Sequence, residues 1–389
     1  MDEWLAAEWR GMQRRFLDCI ARRCSELAPE ALVTSAGIYT DAARHSAERE
    51  LLFMRTPLLA GLSSELPDAG SVLLFDAFGP PVFIVRREDG GLAAFRNVCP
   101  HRGARLVNDT RKRTSFVCPF HAWRFDADGH LVSRPLEDAF ACASAGRELV
   151  RVPVAERYGL VFVRLDPAAG AIDVEEFLGP IAPLIRSFRL EETDHVRTDA
   201  VVTEANWKLV VDVSCEGYHV PATHATTLSP QLVPFLTIHD SFGRHHRFAS
   251  PGRKIEELAG RPESEWPQMH YSAVHYLFPN TILTYSDAID GSMVVVAVNR
   301  SFPGRHIGET TVLYSTYRPA DSRGVERAAY ESLHGAVLDI NRSEDLVTVG
   351  QAWQNYCLLP ATEPLVFGRN EMILQRYHAD IANAVNMPL

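Results

Sequence analysis

Two cysteine–histidine pairs lie close together in the first third of the chain, in the order C-x-H, sixteen further residues, C-x-x-H. They are Cys99 and His101 in CPHRGARL, and Cys118 and His121 in CPFHAW. Thiolate and imidazole ligands hold either tetrahedral zinc or an iron–sulfur cluster. Zinc ribbons more often use C-x-x-C pairs, whereas two thiolates and two imidazoles suit a [2Fe–2S] centre whose two irons differ in ligation. The pattern therefore predicts two loops that close on one metal centre, and it favours the [2Fe–2S] centre over zinc.

A second group of candidate ligands follows about ninety residues later, in NWKLVVDVSCEGYHVPATH (residues 206–224). The i, i+4 and i+7 spacing of Asp212, Glu216 and His219 predicts one face of a helix over 207–219. Pro221 is expected to end that helix, which places His224 in the following loop. Two imidazoles and one carboxylate form the ligand set of non-haem Fe(II) oxygenases. A buried polar helix with hydrogen-bonded histidines is the alternative that this stretch alone leaves open.

The remaining sequence predicts a small all-β module inserted into a larger α+β domain. Its length of 389 residues suggests two domains, and 46% apolar residues indicate a globular protein. Between residues 58 and 165, short apolar runs bounded by Gly, Pro and Asp predict β-hairpins. Extended runs dominate 194–317. Helical patterns cover four segments: 3–27, 41–54 with Thr40 as a cap, 175–190 and 321–357.

Charge and composition exclude several classes of protein. A net charge of −10 argues against a nucleic-acid partner. No apolar run approaches the ~20 residues of a membrane span, so no membrane partner is expected. The start of the sequence is acidic and charged throughout, unlike a signal peptide. Seven scattered cysteines are typical of a reduced protein, which predicts a cytoplasmic location.

Both motifs resemble those of the large (alpha) subunits of Rieske non-haem iron oxygenases, the family of aromatic-ring-hydroxylating dioxygenases and Rieske monooxygenases. CPHRGARL and CPFHAW resemble its Rieske motif, although Phe120 stands where Tyr is usual and Ala122 where Gly is usual. The 206–224 stretch resembles its iron-binding element, with Val213 where Asn often stands. The resemblance implies two ligand sets: Cys99, His101, Cys118 and His121 for a [2Fe–2S] Rieske cluster, and His219 and His224 for a mononuclear Fe(II).

The resemblance also implies roles for acidic residues. Glu216 matches the residue that links the mononuclear site of one subunit to the Rieske site of its neighbour, so it is expected not to bind iron. Its carboxylate can accept a hydrogen bond from the ring N–H of His219 and, across the interface, one from an N–H of His121 of the next chain. The third iron ligand is expected to be a carboxylate in LDINRSEDLVTVGQAWQNY. Asp345 fits the family pattern best, and Asp339 and Glu344 are the alternatives.

The implied fold class is α+β: a Rieske-type all-β [2Fe–2S] module on a helix-grip (START-like) catalytic domain with an antiparallel sheet and a long C-terminal helix. The domain boundaries are predicted as 1–57 for N-terminal helices packing on the catalytic domain, 58–165 for the Rieske domain and 166–389 for the catalytic domain. The implied activity is that of a terminal oxygenase, which uses O2 to hydroxylate, dioxygenate or demethylate a small aromatic or cyclic substrate.

The implied partners are a second copy of the chain, in a homotrimer, and an NAD(P)H-dependent reductase acting directly or through a ferredoxin. No GxGxxG fingerprint beside a βαβ pattern is visible in the sequence, so the electrons are expected to come from that separate protein. Two other classes remain open: a non-catalytic Rieske electron carrier and a zinc-stabilised binding module. Their metal content distinguishes them, since three irons per chain indicate the oxygenase and two indicate the carrier.

Strand phase and neighbourhood suggest which apolar residues line the substrate pocket. The predicted pocket residues are Val213, Val220, Leu277, Leu283, Val295 and Phe302. A short basic run, Arg244, His245, His246 and Arg247, is interpreted as a solvated loop rather than a site for an acidic substrate.

Overall fold

The structure is a computed structural model of the chain, and it describes residues 3–143, 147–266, 272–287, 293–320, 322 and 324–389. The chain divides into two compact units. The first comprises Met1–Leu52, Leu178–Arg189 and Thr193–Leu389, and the second comprises Phe53–Phe177 and Leu190–Glu192. The module predicted over 58–165 falls inside the second unit, which extends further in both directions.

The N-terminal segment of the first unit contains three helices and one strand: α1 (Glu3–Arg22), β1 (Leu32–Ser35), α2 (Gly37–Thr40) and α3 (Ala42–Ala47), followed by a π-helical turn over Glu48–Phe53. The cap of α3 is Asp41, whose carboxylate accepts hydrogen bonds from the backbone N–H groups of Ala43 and Arg44 at 2.7 and 2.9 Å. The predicted cap, Thr40, instead donates to the Ala36 carbonyl oxygen. The carboxylate satisfies two free N–H groups of the first turn, so the helix begins one residue later than predicted.

The second unit is an all-β module, which confirms the hairpins expected from the sequence. The strands among its described residues are β2 (Leu58–Leu62), β3 (Val72–Phe75), β4 (Val82–Arg86), β5 (Leu92–Arg96), β6 (Ser115–Val117), β7 (Arg124–Asp126), β8 (Leu131–Ser133), β9 (Val154–Arg157) and β10 (Leu160–Val163), and α4 (Val174–Leu178) follows them. They form three antiparallel sheets in the orders β3-β4-β5, β6-β7-β8 and β2-β10-β9. Phe83, Phe95, Phe116, Phe125 and Trp123 dominate the core, into which both motif cysteines are packed.

The rest of the first unit is α+β, as predicted. Its elements are α5 (Ala182–Ser187), β11 (Asp194–Thr203), α6 (Trp207–Ser214), α7 (Val220–Thr223), β12 (Ile238–Phe242), β13 (His245–Ser250), β14 (Ser272–Leu277), β15 (Thr281–Asp287), β16 (Val294–Pro303), β17 (Thr310–Arg318), α8 (Arg327–Ile340), α9 (Leu346–Leu358), β18 (Pro364–Phe367) and α10 (Met372–Val385). In the part of the chain that the structure describes, seven of these strands form one antiparallel sheet in the order β11-β17-β16-β15-β14-β13-β12, and β1 pairs with β18. A π-helical turn over Asn341–Asp345 joins α8 to α9, which gives the long helical segment expected near the C-terminus.

Side chains of the seven-stranded sheet alternate between two faces, and the strand pairing assigns each one. The inner face is defined by one row across the strands: His246, Tyr276, Ile282, Asn299, Tyr314 and Asp199. Asp199 Oδ2 lies 2.9 Å from His334 Nε2 on α8. The Tyr276 ring centroid lies 5.2 Å from that of Tyr377 on α10. The inner face is therefore covered by the C-terminal helices.

The outer face is defined by the adjacent row: Arg247, His275, Leu283, Val298, Ser315 and Thr198. Arg247 Nη2 lies 3.2 Å from Glu8 Oε2 on α1. The ring of Phe188, directly after α5, lies 5.2 Å from His275. Helices therefore cover both faces, and the sheet is the middle layer of this unit.

The basic run at residues 244–247 is not a solvated loop, so that prediction is wrong. His245, His246 and Arg247 lie on β13 and are all buried, and only Arg244 is exposed. Arg247 donates to Asp240 Oδ2 from Nε and Nη2 at 2.9 and 2.7 Å. Strand alternation and these partners allow a basic sequence to be buried, because a buried charge is tolerated when it is paired.

A buried ion pair tests the packing of the N-terminal segment in the first unit. Lys208 Nζ lies 2.6 Å from Glu48 Oε1, and the two side chains are 1% and 0% exposed. Trp207 Nε1 donates to the same carboxylate at 2.8 Å. We expect Glu48→Gln to lower the free energy of unfolding by about 3–5 kcal/mol, because it leaves a buried ammonium without its counter-charge. Denaturant unfolding measures this. Glu50→Gln, at an exposed position, should change the value by less than about 0.5 kcal/mol. Equal effects in both variants would contradict the prediction.

Candidate metal centres

The two motif loops of the all-β module have the same backbone geometry. In the first, Cys99 N–H donates to the Ala104 carbonyl at 2.7 Å and Gly103 N–H donates to the Cys99 carbonyl at 2.9 Å. In the second, Cys118 pairs in the same way with Trp123 and Ala122, at 2.8 and 2.9 Å. Each loop therefore turns tightly just after its cysteine.

Each tight turn places one cysteine inside the module. Cys99 and Cys118 are 1% and 2% exposed, and their side chains contact each other. Burial raises the pKa of the Cys99 thiol, so a thiolate at this position needs a compensating cation.

The two motif imidazoles converge beside the cysteines. The ring centroids of His101 and His121 lie 4.6 Å apart, and the Nδ1 atoms of both are buried without a hydrogen-bond partner. A buried ring nitrogen without a partner is costly unless a metal ion takes its lone pair. Partial desolvation and the neighbouring His121 lower the pKa of His101, which favours the neutral form that ligates metal. These four side chains therefore fit a [2Fe–2S] centre with one all-thiolate and one all-imidazole iron.

Ala122 occupies a position where the backbone favours glycine. Its φ is +55°, and Gly103 at the equivalent position of the other loop has φ +75°. We expect Ala122→Gly to raise the free energy of unfolding by about 0.5–1 kcal/mol, because relief of the left-handed strain exceeds the extra entropy of the unfolded chain. Thermal loss of the cluster's visible band measures the effect. The control Ala168→Gly lies at an exposed site with ordinary φ, and it should lower stability by about 0.4–1 kcal/mol. A lower melting temperature for Ala122→Gly would contradict the prediction.

The predicted helix over 207–219 ends early, so Asp212, Glu216 and His219 do not share a helix face. The helix α6 stops at Ser214, and Pro221 lies in the first turn of α7 instead of ending α6. The Glu216 carboxylate accepts from the backbone N–H groups of Tyr218 and His219 and also contacts His219 Nδ1. These side-chain bonds satisfy two backbone N–H groups outside a helix, so the backbone here has an alternative to helical hydrogen bonding.

Asp212 has a structural environment away from the ligand atoms. It is buried, accepts a hydrogen bond from the Tyr39 hydroxyl and lies 2.9 Å from His378 Nε2. Its carboxylate therefore ties α6 to α2 and α10, and it takes no part in the group of ligand atoms described next.

Three candidate iron ligands meet at one point in the first unit. One ligand atom from each of His219, His224 and Asp345 lies within 4.8 Å of the other two. The two Nε2 atoms are 3.3 Å apart, and Asp345 Oδ1 lies 3.0 Å from His224 Nε2 and 3.6 Å from His219 Nε2. This arrangement of two imidazoles and one carboxylate is the facial set that non-haem Fe(II) oxygenases use.

Each histidine of this group contacts a second carboxylate through Nδ1, on the side of the ring opposite to Nε2. Glu216 contacts Nδ1 of His219, and Glu344 Oε2 lies 2.5 Å from Nδ1 of His224. Thr227 donates to the same Glu344 oxygen at 2.8 Å. A carboxylate can only accept, so both Nδ1 atoms carry a hydrogen and both Nε2 lone pairs point toward Asp345. Three acceptors that converge in this way attract a cation, either a proton on His224 or a metal ion, and their positions fit a mononuclear Fe(II).

The late acidic residues take different positions. Asp345 is buried at the end of the π-helical turn and reaches the histidines, whereas Glu344 contacts the far side of His224. Asp339 is exposed on α8. Contacts with Asp345 and Glu344 outweigh burial and raise the pKa of His224, and its hydrogen bond lowers the pKa of Glu344. Of the three candidates, the geometry brings only Asp345 to both Nε2 atoms.

Half of the predicted pocket residues lie away from the iron ligands. Leu277, Leu283 and Phe302 are 0–1% exposed on the outer face of the sheet, so they pack in the core and do not line the pocket. These three residues were predicted wrongly because neighbouring strand residues point to opposite faces of the sheet. The sequence does not show which face lies toward the helices that carry the candidate iron ligands. The other three predicted residues, Val213, Val220 and Val295, are half-buried.

Tyr314 and Asn299 were not identified from the sequence as inner-face residues, and the contact between Glu344 and His224 was not predicted. Tyr314 and Asn299 are cross-strand neighbours on that face, and burial raises the pKa of Tyr314, with a smaller contribution from the Asp345 carboxylate. Alternation of polar and apolar residues along β16 and β17 was the available signal, but it does not indicate which face is functional. Glu344 was considered only as a ligand or a surface acid, because its contact with His224 joins residues 120 positions apart.

Comparison with known protein families covers both units. Residues 56–151 match the model described as Rieske [2Fe-2S] domain, and residues 190–386 match the model described as Ring hydroxylating alpha subunit (catalytic domain). Among the described helices, none is both long and apolar enough to cross a membrane.

Individual relatives show the same relationship. The chain is 30% identical to the carnitine monooxygenase oxygenase subunit of Escherichia coli (strain K12), over 69% of this chain and 71% of that protein. It is 32% identical to the chlorobenzene dioxygenase subunit alpha of Cupriavidus sp. (strain PS12), over 59% of this chain and 54% of that protein. It is similar in fold to the crystal structure of a quaternary ammonium Rieske monooxygenase with L-carnitine, with a TM-score of 0.76 and 21% identity over 92% of this chain and 96% of the other.

Proposed function

Since the chain belongs to the Rieske non-haem iron oxygenase family as an alpha subunit, we propose which of its residues bind the metal groups and which class of substrate it oxidises. As a member of this family, the chain is an oxygenase that uses a [2Fe–2S] cluster, a mononuclear iron and O2. The proposed cluster ligands are Cys99, His101, Cys118 and His121, and the proposed iron ligands are His219, His224 and Asp345. The convergence of three ligand atoms within 4.8 Å is the observation that carries this assignment.

When bound, the cluster supplies electrons one at a time and the iron activates O2 beside the substrate. The residues of the chain position these groups and control protons around them. Glu216 and Glu344 hold the two imidazoles in the Nδ1–H tautomer, so that each Nε2 is free to ligate. Asp345 supplies the negative charge, and its burial limits competition from water.

We propose that electrons cross between chains of a homotrimer, from the cluster of one subunit to the iron of the next. Glu216 supports this route, because among the described residues its Oε1 accepts only from His219 Nδ1–H and keeps a second lone pair that can accept from an imidazole of another chain. Such a contact is heterologous and closes as a ring. The electrons come from an NAD(P)H-dependent reductase, directly or through a ferredoxin. NAD(P)H is a cytoplasmic metabolite, so we place the reaction in the cytoplasm.

The proposed substrate pocket lies between the inner face of the sheet and the helices that carry the iron ligands. On β16 the outer-face residues are buried, whereas Val295, Ala297 and Asn299 on the inner face keep accessible surface. Thr284 on β15, which pairs with Ala297 on β16, is likewise half-buried. Short side chains with accessible surface indicate space next to the sheet.

The chemistry of this surface favours a neutral substrate. Among the described residues around Ala297 on the inner face of β15, β16 and β17, the polar groups are uncharged: Thr284, Ser286, Asn299, Tyr314 and Thr316. Uncharged hydrogen-bonding groups in an apolar pocket orient a substrate through one polar substituent. We therefore propose hydroxylation, or dealkylation, of a small aromatic or cyclic molecule that carries one such substituent.

A second candidate is oxidative demethylation of a quaternary ammonium compound. The similarity to the carnitine monooxygenase oxygenase subunit favours it. An ammonium substrate is commonly held by aromatic rings or a carboxylate, and Tyr314 is one aromatic residue available on the inner face.

A substrate screen with a surrogate reductase tests both candidates. Neutral aromatic and cyclic compounds, L-carnitine and glycine betaine are incubated with O2, and mass spectrometry detects gain of one oxygen, gain of two hydroxyls, or loss of a methyl group. Turnover of neutral compounds alone supports the proposal, whereas demethylation of the ammonium compounds alone overturns it. Full reduction and reoxidation of the cluster, with only two irons per chain and no product, would indicate an electron carrier.

Pocket variants link any turnover to the inner face. Tyr314→Phe and Asn299→Leu should raise KM at least about tenfold for a substrate with a polar substituent, because each removes a hydrogen bond in a desolvated pocket. Thr311→Val is the matched control, since Thr311 lies on the same strand as Tyr314 but on the outer face. A KM unchanged in both inner-face variants would place the substrate elsewhere.

A further inference from the structure

A buried arginine lies behind the histidine side of the proposed cluster site. The Arg134 side chain is 1% exposed, and its guanidinium carbon lies 5.2 Å from the Trp123 ring centroid. The Trp123 ring is itself parallel to the His101 imidazole, with 4.7 Å between centroids and 2° between planes. The fixed positive charge is therefore at most about 10 Å from an imidazole proposed to bind the cluster.

The surroundings of Arg134 hold it rigidly but do not neutralise it well. Its Nε and Nη2 donate to Glu137 Oε1 at 3.1 and 2.8 Å, and Nη2 also donates to the Phe140 carbonyl at 3.3 Å. Glu137 is 63% exposed, so water screens its charge. The Nη1 atom of Arg134 is buried without a hydrogen-bond partner. A buried cation whose counter-charge lies in solvent exerts its field on neighbouring buried groups.

Phe140 completes an aromatic wall around this arginine. Its ring meets His101 and Trp123 edge-on, at 5.7 and 5.5 Å, and the guanidinium carbon of Arg134 lies 4.9 Å from its centroid. The rings exclude water between the guanidinium and the imidazole. Interactions across such a dry region are stronger than they are at a surface.

We propose that Arg134 raises the reduction potential of the cluster through its buried positive charge. One-electron reduction adds a negative charge to the cluster, and a fixed positive charge nearby stabilises that state. This inference rests on the proposed cluster ligands.

A redox titration of the purified holoprotein, followed at the cluster's visible band, tests the proposal without turnover. We expect Arg134→Met to lower the reduction equilibrium constant about tenfold, which is 59 mV for one electron. Arg134→Lys keeps the charge and should stay within about threefold of wild type. If Arg134→Met does not assemble a cluster, Arg134→Gln supplies the neutral comparison. A neutral variant with an intact cluster and an unchanged potential overturns the proposal, as does a Lys variant that falls as far as Met.

Arg102→Met is the matched control for charge at the surface. Arg102 adjoins His101 in sequence but is exposed, with its guanidinium carbon 5.1 Å from the Phe120 ring. Its effect on the potential should be smaller and should disappear at 1 M salt, whereas the effect of Arg134 should persist. An Arg134 effect that salt abolishes would show that its charge acts through solvent and would overturn the proposal. Failure of the proposed ligands would appear differently, as cluster assembly that persists after His101 or His121 is replaced by Ala.

Discussion

Asp345→Ala is expected to abolish turnover and to remove the mononuclear iron while leaving the Rieske spectrum intact. Iron content should fall from three atoms per chain to the two of the cluster. The reason is geometric, because Asp345 supplies the only described carboxylate oxygen that faces both Nε2 atoms, at 3.0 Å from His224 and 3.6 Å from His219. Two neutral imidazoles without the carboxylate hold Fe(II) weakly. Metal analysis and visible spectroscopy of the same sample measure both outcomes.

The neighbouring acids provide controls for Asp345. Asp339→Ala changes an exposed carboxylate on α8 and should keep three irons and normal turnover. Glu344→Ala should weaken iron binding by roughly 10–100-fold without abolishing it, because Glu344 orients His224 and does not face the metal. Full iron occupancy in Asp345→Ala, with loss in either control, would transfer the ligand role to that acid.

Glu216→Gln is expected to leave both metal sites filled and to slow electron transfer between them roughly 100-fold. Glutamine is nearly isosteric, and its amide oxygen can still accept from His219 Nδ1–H. Its single accepting oxygen cannot serve the backbone N–H groups of Tyr218 and His219, His219 Nδ1–H and an imidazole of another chain together, so the proposed polar path to His121 of the neighbouring chain is broken. A stopped-flow experiment follows the reoxidation of a pre-reduced cluster when substrate and O2 are added.

Glu344→Gln is a matched control for this experiment because the two carboxylates have the same local role. Glu216 holds His219 and Glu344 holds His224, each through Nδ1. Both substitutions should leave the iron bound to the same extent, but only Glu216→Gln should slow reoxidation. Reoxidation at the wild-type rate in Glu216→Gln would make Glu216 a purely structural acid, and equal slowing in both variants would trace the effect to the iron site.

The sequence by itself determined those features that depend on residues close together in the chain. The cysteine and histidine of each motif loop are separated by one or two residues, so spacing alone predicts that they converge, and the matched backbone bonds of the two loops follow from it. Short apolar runs bounded by Gly, Pro and Asp likewise predicted the β module, and extended runs predicted the strands of the larger unit, because both signals are local. The antiparallel pairing of those strands was implied by the family resemblance.

Only the tertiary structure decided features that join distant residues or depend on strand register. Asp345 meets His224 across 121 positions, and nothing local in the sequence distinguishes it from Glu344, which holds the other side of the same ring. The sequence of a strand shows which residues alternate, but not which face of the sheet lies toward the helices that carry the proposed iron ligands. Leu283 was therefore predicted at the pocket, and Asn299 was not identified as an inner-face residue. The burial of His246 and Arg247 was not predicted, for the same reason. Their partners, Asp380 and Glu8, lie on helices at opposite ends of the chain.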